Sequence, residues 1–429
     1  MLCIYGTLSP LYLFSKVLGL APYPRGNTGT TIADVTIKSP SLFSTLHNYI
    51  AFFYMLAWFI FDLTWQSIYT YPKLSSTTII PIVIRHFTFS ATCMSALVLC
   101  HRGSLRNFCS QIALVDKVLL GKSSQSSYKK TRLLLIIGML ILSLSSCLFT
   151  LPYITGGRMG SITIIRGSGF IFGVAICTVT MVQYFVYILI LKSRFSNINA
   201  QLSALIFYEN EKQDMETSVF TLHRQNKVDT AEEVFYANGD QSTKKANSLV
   251  PTVSKMGNIL FHHDRHYVLA LRRTHAILCD VIQMINSDYG LQILLLISYD
   301  FISFVMFTFL ALDAEHDLSV ADCNEEESCV RVLMNFCVSC TCIIKVMSIA
   351  VTCHAASAEA SRTSTVVQKL LSQAPVSSDM NAELQLFSQQ LYIIDTKFTA
   401  FGFFELNLNL LCSIAGTATT YIVILLELK

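Results

Sequence analysis

Residues 170–191 read FIFGVAICTVTMVQYFVYILIL, a run of 22 positions without one charged side chain. As a helix it would be ~33 Å long, enough to cross about 30 Å of hydrocarbon. A water-facing helix of that length would carry charges along one face. Six further stretches meet the same length rule with at most one or two charged groups each: 44–64, 79–100, 133–153, 291–312, 332–352 and 406–427. The pattern predicts an all-α polytopic membrane protein with seven transmembrane helices.

Composition agrees. Of 429 residues, 52% are hydrophobic and 14% charged, and the mean hydropathy is +0.51. Soluble domains carry about 25% charged residues, and their surfaces must stay hydrated. A net charge of +3 is too small to suggest a nucleic-acid partner. Cysteines such as Cys93, Cys147, Cys177, Cys337, Cys340 and Cys342 lie in apolar runs and read as small packing residues. The pair Cys337 and Cys340 has metal-like spacing but no second ligand pair. His262, His263 and His266 also lack further ligands, so no metal site is expected. There is no Gly-rich phosphate loop, HExxH or GxSxG, so neither an enzyme nor a cofactor is expected. Lys16 interrupts the first apolar stretch, with no basic segment before it and no small-residue cleavage site after it. This argues against a signal peptide.

Orientation follows from lysine and arginine in the connections. One side holds 24 of them and the other five: Lys73, Arg158, Arg166, Arg331 and Lys429. Without the long loop 192–290 the count is 13 to five. The basic side is cytosolic, which puts the N-terminus inside and the C-terminus outside. Residues 1–43 are then a cytosolic N-terminal segment, and 44–191 hold helices one to four. Residues 192–290 form a cytosolic loop, with a polar, disordered insert at about 209–258 and a helix at about 259–288. Helices five and six occupy 291–352 around an outer loop, 313–330. Residues 353–405 are cytosolic, with amphipathic helices at 354–372 and 380–400, and 406–429 hold the last span. The cytosolic helices are expected to pack as an anchor.

Charges inside spans cost roughly 2.5–3.5 kcal/mol each on insertion scales. Asp300 and Lys345 lie ~13 Å and ~10 Å from the inner boundary and are expected to form an ion pair. Arg85, ~9 Å from the outer boundary, is expected to face a wet outer cavity. Thr150, Tyr153, Ser303, Phe304, Phe307, Thr308, Asn335 and Ser339 put hydroxyls, an amide and rings into the outer halves of the spans. Hydroxyl-rich ligands need such groups, and any helical bundle also contains them. The loop 313–330 has seven acidic residues and no lysine or arginine. It is either a solvated loop or a negative surface that concentrates cations. Cys323 and Cys329 within it make a disulfide possible in an oxidising compartment.

The chain ends Thr419-Thr420-Tyr421-Ile422-Val423-Ile424-Leu425-Leu426-Glu427-Leu428-Lys429. This resembles the signature of the insect gustatory receptor family: Thr-Tyr, five apolar residues, then Gln-Phe. Glu427 and Leu428 replace the last two. Ser15-Lys16-Val17-Leu18 with Leu20-Ala21-Pro22-Tyr23 is similar to the start of the fructose-receptor branch. Cys353-His354-Ala355-Ala356 and Gln389-Gln390-Leu391 with Asp395, Phe398 and Gly402 are similar to it as well.

The resemblance implies a multi-pass plasma-membrane, ligand-gated, non-selective cation channel in the taste system. It implies a homotetramer, with or without other gustatory receptor subunits. Helices one to four would form the ligand-binding bundle, taking a sugar in its outer half, and helix seven would line the pore. Tyr421, Ile424 and Leu428 would share a gating face, and Glu427 would either form a carboxylate ring or cap the span at the membrane interface. By the same comparison Arg166 replaces an aromatic residue, Ser303 replaces a histidine, and an acidic position near Arg85 is lost. These departures point from fructose toward another sugar or a polyol such as inositol. Arg85, Thr150, Tyr153, Arg166, Ser303, Phe304, Phe307 and Asn335 are the candidate ligand contacts. The competing expectations are a transporter of a small polar solute, a channel for a bitter, non-sugar tastant, and a metabotropic receptor, which the orientation opposes.

Overall fold

In lipid, backbone N–H and C=O groups must be satisfied within the segment, so apolar runs become helices. The computed structural model describes residues 4–21, 42–69, 76–100, 103–119, 128–133, 135–138, 140, 161–232, 264–318, 325–373 and 378–427. The elements are α1 (Ile4–Thr7), α2 (Ser9–Val17), α3 (Leu42–Tyr69), α4 (Ser76–Leu99), α5 (Ser104–Leu119), α6 (Ser161–Glu232), α7 (Asp264–Leu318), α8 (Glu325–Gln373) and α9 (Ser378–Ile393). A two-residue hairpin, β1 (Thr399–Ala400) with β2 (Phe404–Glu405), precedes α10 (Leu408–Glu427). Among the described residues, six helices are long and apolar enough to cross a membrane. They overlap six of the seven stretches read above as spans. The other, 133–153, falls mostly outside the described residues.

Three helices run past their spans. α6 has 72 residues, α7 has 55 and α8 has 49. Even the shortest is ~74 Å long, more than twice the hydrocarbon thickness. α6 continues to Glu232, whereas its polar composition suggested a disordered insert from about 209. Polarity shows that a segment seeks water, not that it lacks a helix. No glycine or proline occurs between Lys192 and Glu232, and the Glu, Lys, Gln and Met content favours helix. The remainder of that insert lies outside the described residues.

The chain divides into two compact units. The first holds residues 1–193, 278–358 and 396–429. Its N-terminal helices are docked rather than free: Leu8, Leu11 and Leu18 are buried. Gln183 donates to Ser15 Oγ at 2.7 Å, and Tyr289 donates its hydroxyl to Gln183 Oε1 at 3.0 Å. The buried Asn48 amide donates to the carbonyls of Gly19 (2.8 Å) and Leu97 (3.0 Å). These bonds satisfy polar groups inside the unit and fix the register of α2 against α3, α4, α6 and α7.

The second unit holds residues 194–277 and 359–395. Its core includes Phe195, Ile198, Leu202, Leu271, Val367, Leu384 and Phe387. His275 sits between Phe195 and Phe387 in edge-to-face contacts at 5.3 and 5.6 Å. Burial pushes its pKa from 6.5 down to about 4. Thr363 donates to Asn199 Oδ1 at 2.7 Å, and the Asn199 amide donates to Glu359. Arg272 and Arg265 both approach the buried Glu383.

The predicted helix 380–400 ends at Ile393. The backbone after it is taken by an asparagine. Asn286 of α7 donates to Lys397 O at 2.9 Å and accepts from Thr399 N–H at 3.1 Å, as a neighbouring strand would. The turn then needs left-handed backbone at Phe401 (φ 53°) and Gly402 (φ 78°). It rests against Gly290, where a Cβ would come within 2.9 Å of the Phe401 nitrogen. Residues 286 and 290, distant in sequence, thus hold the hairpin that follows, and no local period encodes that.

Candidate ligand site and pore helix

Asp62 and Gln66 are four apart on α3 and share a face. Both are buried in an otherwise apolar helix, with Asp62 1% exposed. A lone carboxylate at such a place would be costly. Three contacts to the carboxylate offset that cost. Arg166 of α6 donates Nε to Asp62 Oδ1 at 2.7 Å. Gln66 donates to Asp62 Oδ2 at 2.7 Å and also meets His86 Nε2 at 2.6 Å. The amide nitrogen has only protons to give, so His86 Nε2 is the acceptor. The imidazole proton is therefore on Nδ1, which faces Asp62 Oδ2 at 3.3 Å. The result is a charge-balanced network joining α3, α4 and α6. Trp58 adds a bond from its indole N–H to Arg166 O at 3.0 Å.

An aromatic group lies next to this network. Phe89 of α4 touches Trp58, Phe170 and Tyr299, with centroids 6.1, 5.5 and 5.2 Å apart. Two glycines of α6 make room for it. A Cβ at Gly169 would overlap the Trp58 indole, and one at Gly173 would lie 2.7 Å from Phe89. Small residues in membrane helices let large neighbours approach in this way.

A second polar group follows on α4, α7 and α8. Lys345 donates to Asp300 Oδ1 at 3.1 Å, with Asp300 fully buried. The Arg85 guanidinium stands 5.3 Å from the centre of the Phe307 ring. Arg85 Nε and the buried Ser303 Oγ have no hydrogen-bond partner among the described residues. Thr308 and Ser339 hydroxyls are 2.6 Å apart.

The sequence candidates are therefore placed as follows. Asp300 meets Lys345, and Arg85 meets Phe307. Arg166, read as a charge of the outer loop, lies inside α6 and pairs with Asp62. Ser303 is buried, while Phe304 and Asn335 are half-buried. Thr150 and Tyr153 lie outside the described residues. Cys329 is exposed and unbridged among the described residues, and Cys323 lies outside them. Sequence reading missed Asp62, Gln66, His86 and Trp58. Asp62 lies two residues before the end of the expected span 44–64. The available signal was the four-residue spacing of Asp62 and Gln66 within an apolar run.

α10 differs from the other spans. Only 11% of its apolar window is buried, and Ile414 and Ala418 carry that burial. Its exposed side bears Ser413, Thr417, Thr420, Ile424 and Glu427, at successive spacings of four, three, four and three. Those spacings make one stripe along the helix. The hydroxyls of Thr417 and Thr420 donate back to Ser413 O and Gly416 O, leaving their lone pairs outward. Tyr421 leaves this stripe: its ring meets Phe301 edge-on at 6.4 Å. Leu428 lies outside the described residues.

Comparison with known proteins gives the setting. A stretch of 153 residues is 28% identical to "Putative gustatory receptor 28b" of Drosophila melanogaster. It covers 36% of this chain and 32% of that protein, so the chain matches about a third of that relative's length. The olfactory receptor OR5 of Machilis hrabei, solved in complex with eugenol, superposes with a TM-score of 0.64 over 98% of both chains at 12% identity. The same receptor, in a further structure, superposes at 0.63 and 10% identity, which shows a shared fold. The 7tm Chemosensory receptor family model matches residues 8–429. This chain therefore belongs to the 7tm chemosensory receptor family, which is a family of receptors and not of enzymes.

Proposed function

We propose that this protein is a gustatory receptor of the plasma membrane that works as a ligand-gated, non-selective cation channel. It has seven spans, with the N-terminus cytosolic, and assembles as a tetramer with α10 around the pore. The observation that carries this reading is the exposure of α10. An apolar helix with two buried residues is covered by lipid on one side and by other copies on another. Its polar stripe, Ser413 through Glu427, faces the ion path, and Ile424 closes it by dewetting. Glu427 forms a ring of carboxylates that favours cations. Tyr421, which packs toward Phe301, stands beside the path rather than in it.

The agonist binds in the outer half of the first unit, between the Asp62 network and the group around Arg85 and Ser303. Arg85 Nε and Ser303 Oγ, which have no hydrogen-bond partner among the described residues, support a ligand with several hydroxyls, a sugar or a cyclic polyol. The aromatic group around Phe89 supports a second reading, a ring-bearing, non-sugar tastant.

The test is expression of the chain alone with a panel of sugars, polyols and aromatic tastants, read as inward current. Current should appear within milliseconds in cells without G-protein signalling. Glu427→Gln should shift the reversal potential toward anion permeability and lower divalent entry. Silence of reconstituted protein under the whole panel, or labelled uptake without current, would overturn the reading.

A further inference from the structure

A cavity lies at the other end of α4. Arg85 and His86 lie in its first half, and Ala96 and Leu99 follow ~15–20 Å further along, with Cys100 just past its end. There the first unit holds a cavity of about 810 Å³ of atom-free space, mouth included. Its core has room for several water-sized groups. Leu8, Leu20, Ala96 and Leu99 give it an apolar wall. Gln183, Tyr289 and Gln292 give it a polar one. On α6, Gln183 is 17 residues, ~25 Å, from Arg166, so this cavity is separate from the site above.

The polar wall is unevenly satisfied. Gln183 spends its amide on Ser15 and its carbonyl on Tyr289. Gln292 is one turn along α7 from Tyr289 and only 5% exposed. Its Oε1 is buried with no hydrogen-bond partner among the described residues. A buried acceptor in that state is unfavourable, and a donor entering the cavity relieves it. Arg106 also lines the cavity but is already engaged in an interaction of its own, which weakens the case for an anion.

We infer that this cavity is a second small-molecule site, one that takes a neutral amphiphile. The ligand's hydroxyl donates to Gln292 Oε1, and its apolar body lies against Leu8, Leu20, Ala96 and Leu99. Because the walls come from Leu8, Tyr12 and Leu20 as well as from α4 to α7, an occupant stiffens the docking of α2. This inference goes beyond the agonist site and does not need it.

The experiment uses the full chain in nanodiscs and ligand-detected NMR, with no current required. The probes are 4-ethylphenol, its methyl ether 4-ethylanisole, which has no donor, and the anion 4-ethylbenzoate. The phenol should bind about tenfold tighter than the ether, the worth of one buried neutral hydrogen bond. Gln292→Met should erase that preference and leave the ether's affinity unchanged. Equal binding of phenol and ether to the wild-type chain overturns the inference without recourse to any variant. So does tightest binding by the benzoate, or a phenol affinity that falls with Asp62→Asn and ignores Gln292→Met.

Discussion

Asp62→Asn keeps the shape of the side chain and removes its charge. Arg166 then loses its 2.7 Å bond to a carboxylate, while its side chain is still only 20% exposed. A hydrogen bond between charged groups contributes about 1.5–3 kcal/mol. Partial exposure of Arg166 lets water recover some of that, so a loss of about 2 kcal/mol is expected. If agonist binding needs the network intact, the half-maximal concentration rises by about 30-fold, since ~1.4 kcal/mol is tenfold. Arg166→Met alone strands the carboxylate, which is 1% exposed, and should cost more, about 3 kcal/mol or above.

The decisive measurement is the double variant. Replacing both partners of a buried pair by uncharged groups is often nearly neutral, whereas removing one is not. Asp62→Asn/Arg166→Met should therefore be more stable than Arg166→Met alone, in the melting temperature of purified protein and in the current dose response. The coupling should exceed about 1 kcal/mol. Additive effects within about 0.5 kcal/mol would show that the two side chains act independently. The network would then not be the unit that holds α3, α4 and α6 together.

Two further outcomes follow from the packing and the charges. Gly169→Ala drives a methyl into the Trp58 indole and should lower stability by about 1–3 kcal/mol, and Trp58→Phe should relieve part of the loss. His275 binds a proton at about 4 in the folded chain against 6.5 when unfolded, so the unfolded chain takes up more protons in that window. Stability should be full above pH 6.5 and fall as pH drops toward 4, by about 3 kcal/mol in all. His275→Phe should flatten that slope in pH-dependent melts. An unchanged slope would assign the acid sensitivity to other groups.

What the sequence alone determined is what depends on short range. A span is a matter of about twenty consecutive residues preferring lipid to water, so hydropathy locates it without knowledge of its neighbours. The Asp300–Lys345 pair was legible too, because depth along adjacent spans is simple arithmetic and buried charges seek partners. Only the tertiary structure decided which residues meet across helices. Asp62, His86 and Arg166 come from three helices, and no period in the sequence links them. Gly169, a weak helix former when read locally, is explained by the ring it faces. Asn286 holds the backbone of Lys397 and Thr399, more than 100 residues away. On α10 the spacing of residues sets the faces, but the burial of Ile414 and Ala418 decided which face packs inside the first unit, since rotation about a helix axis is set by packing and not by hydropathy.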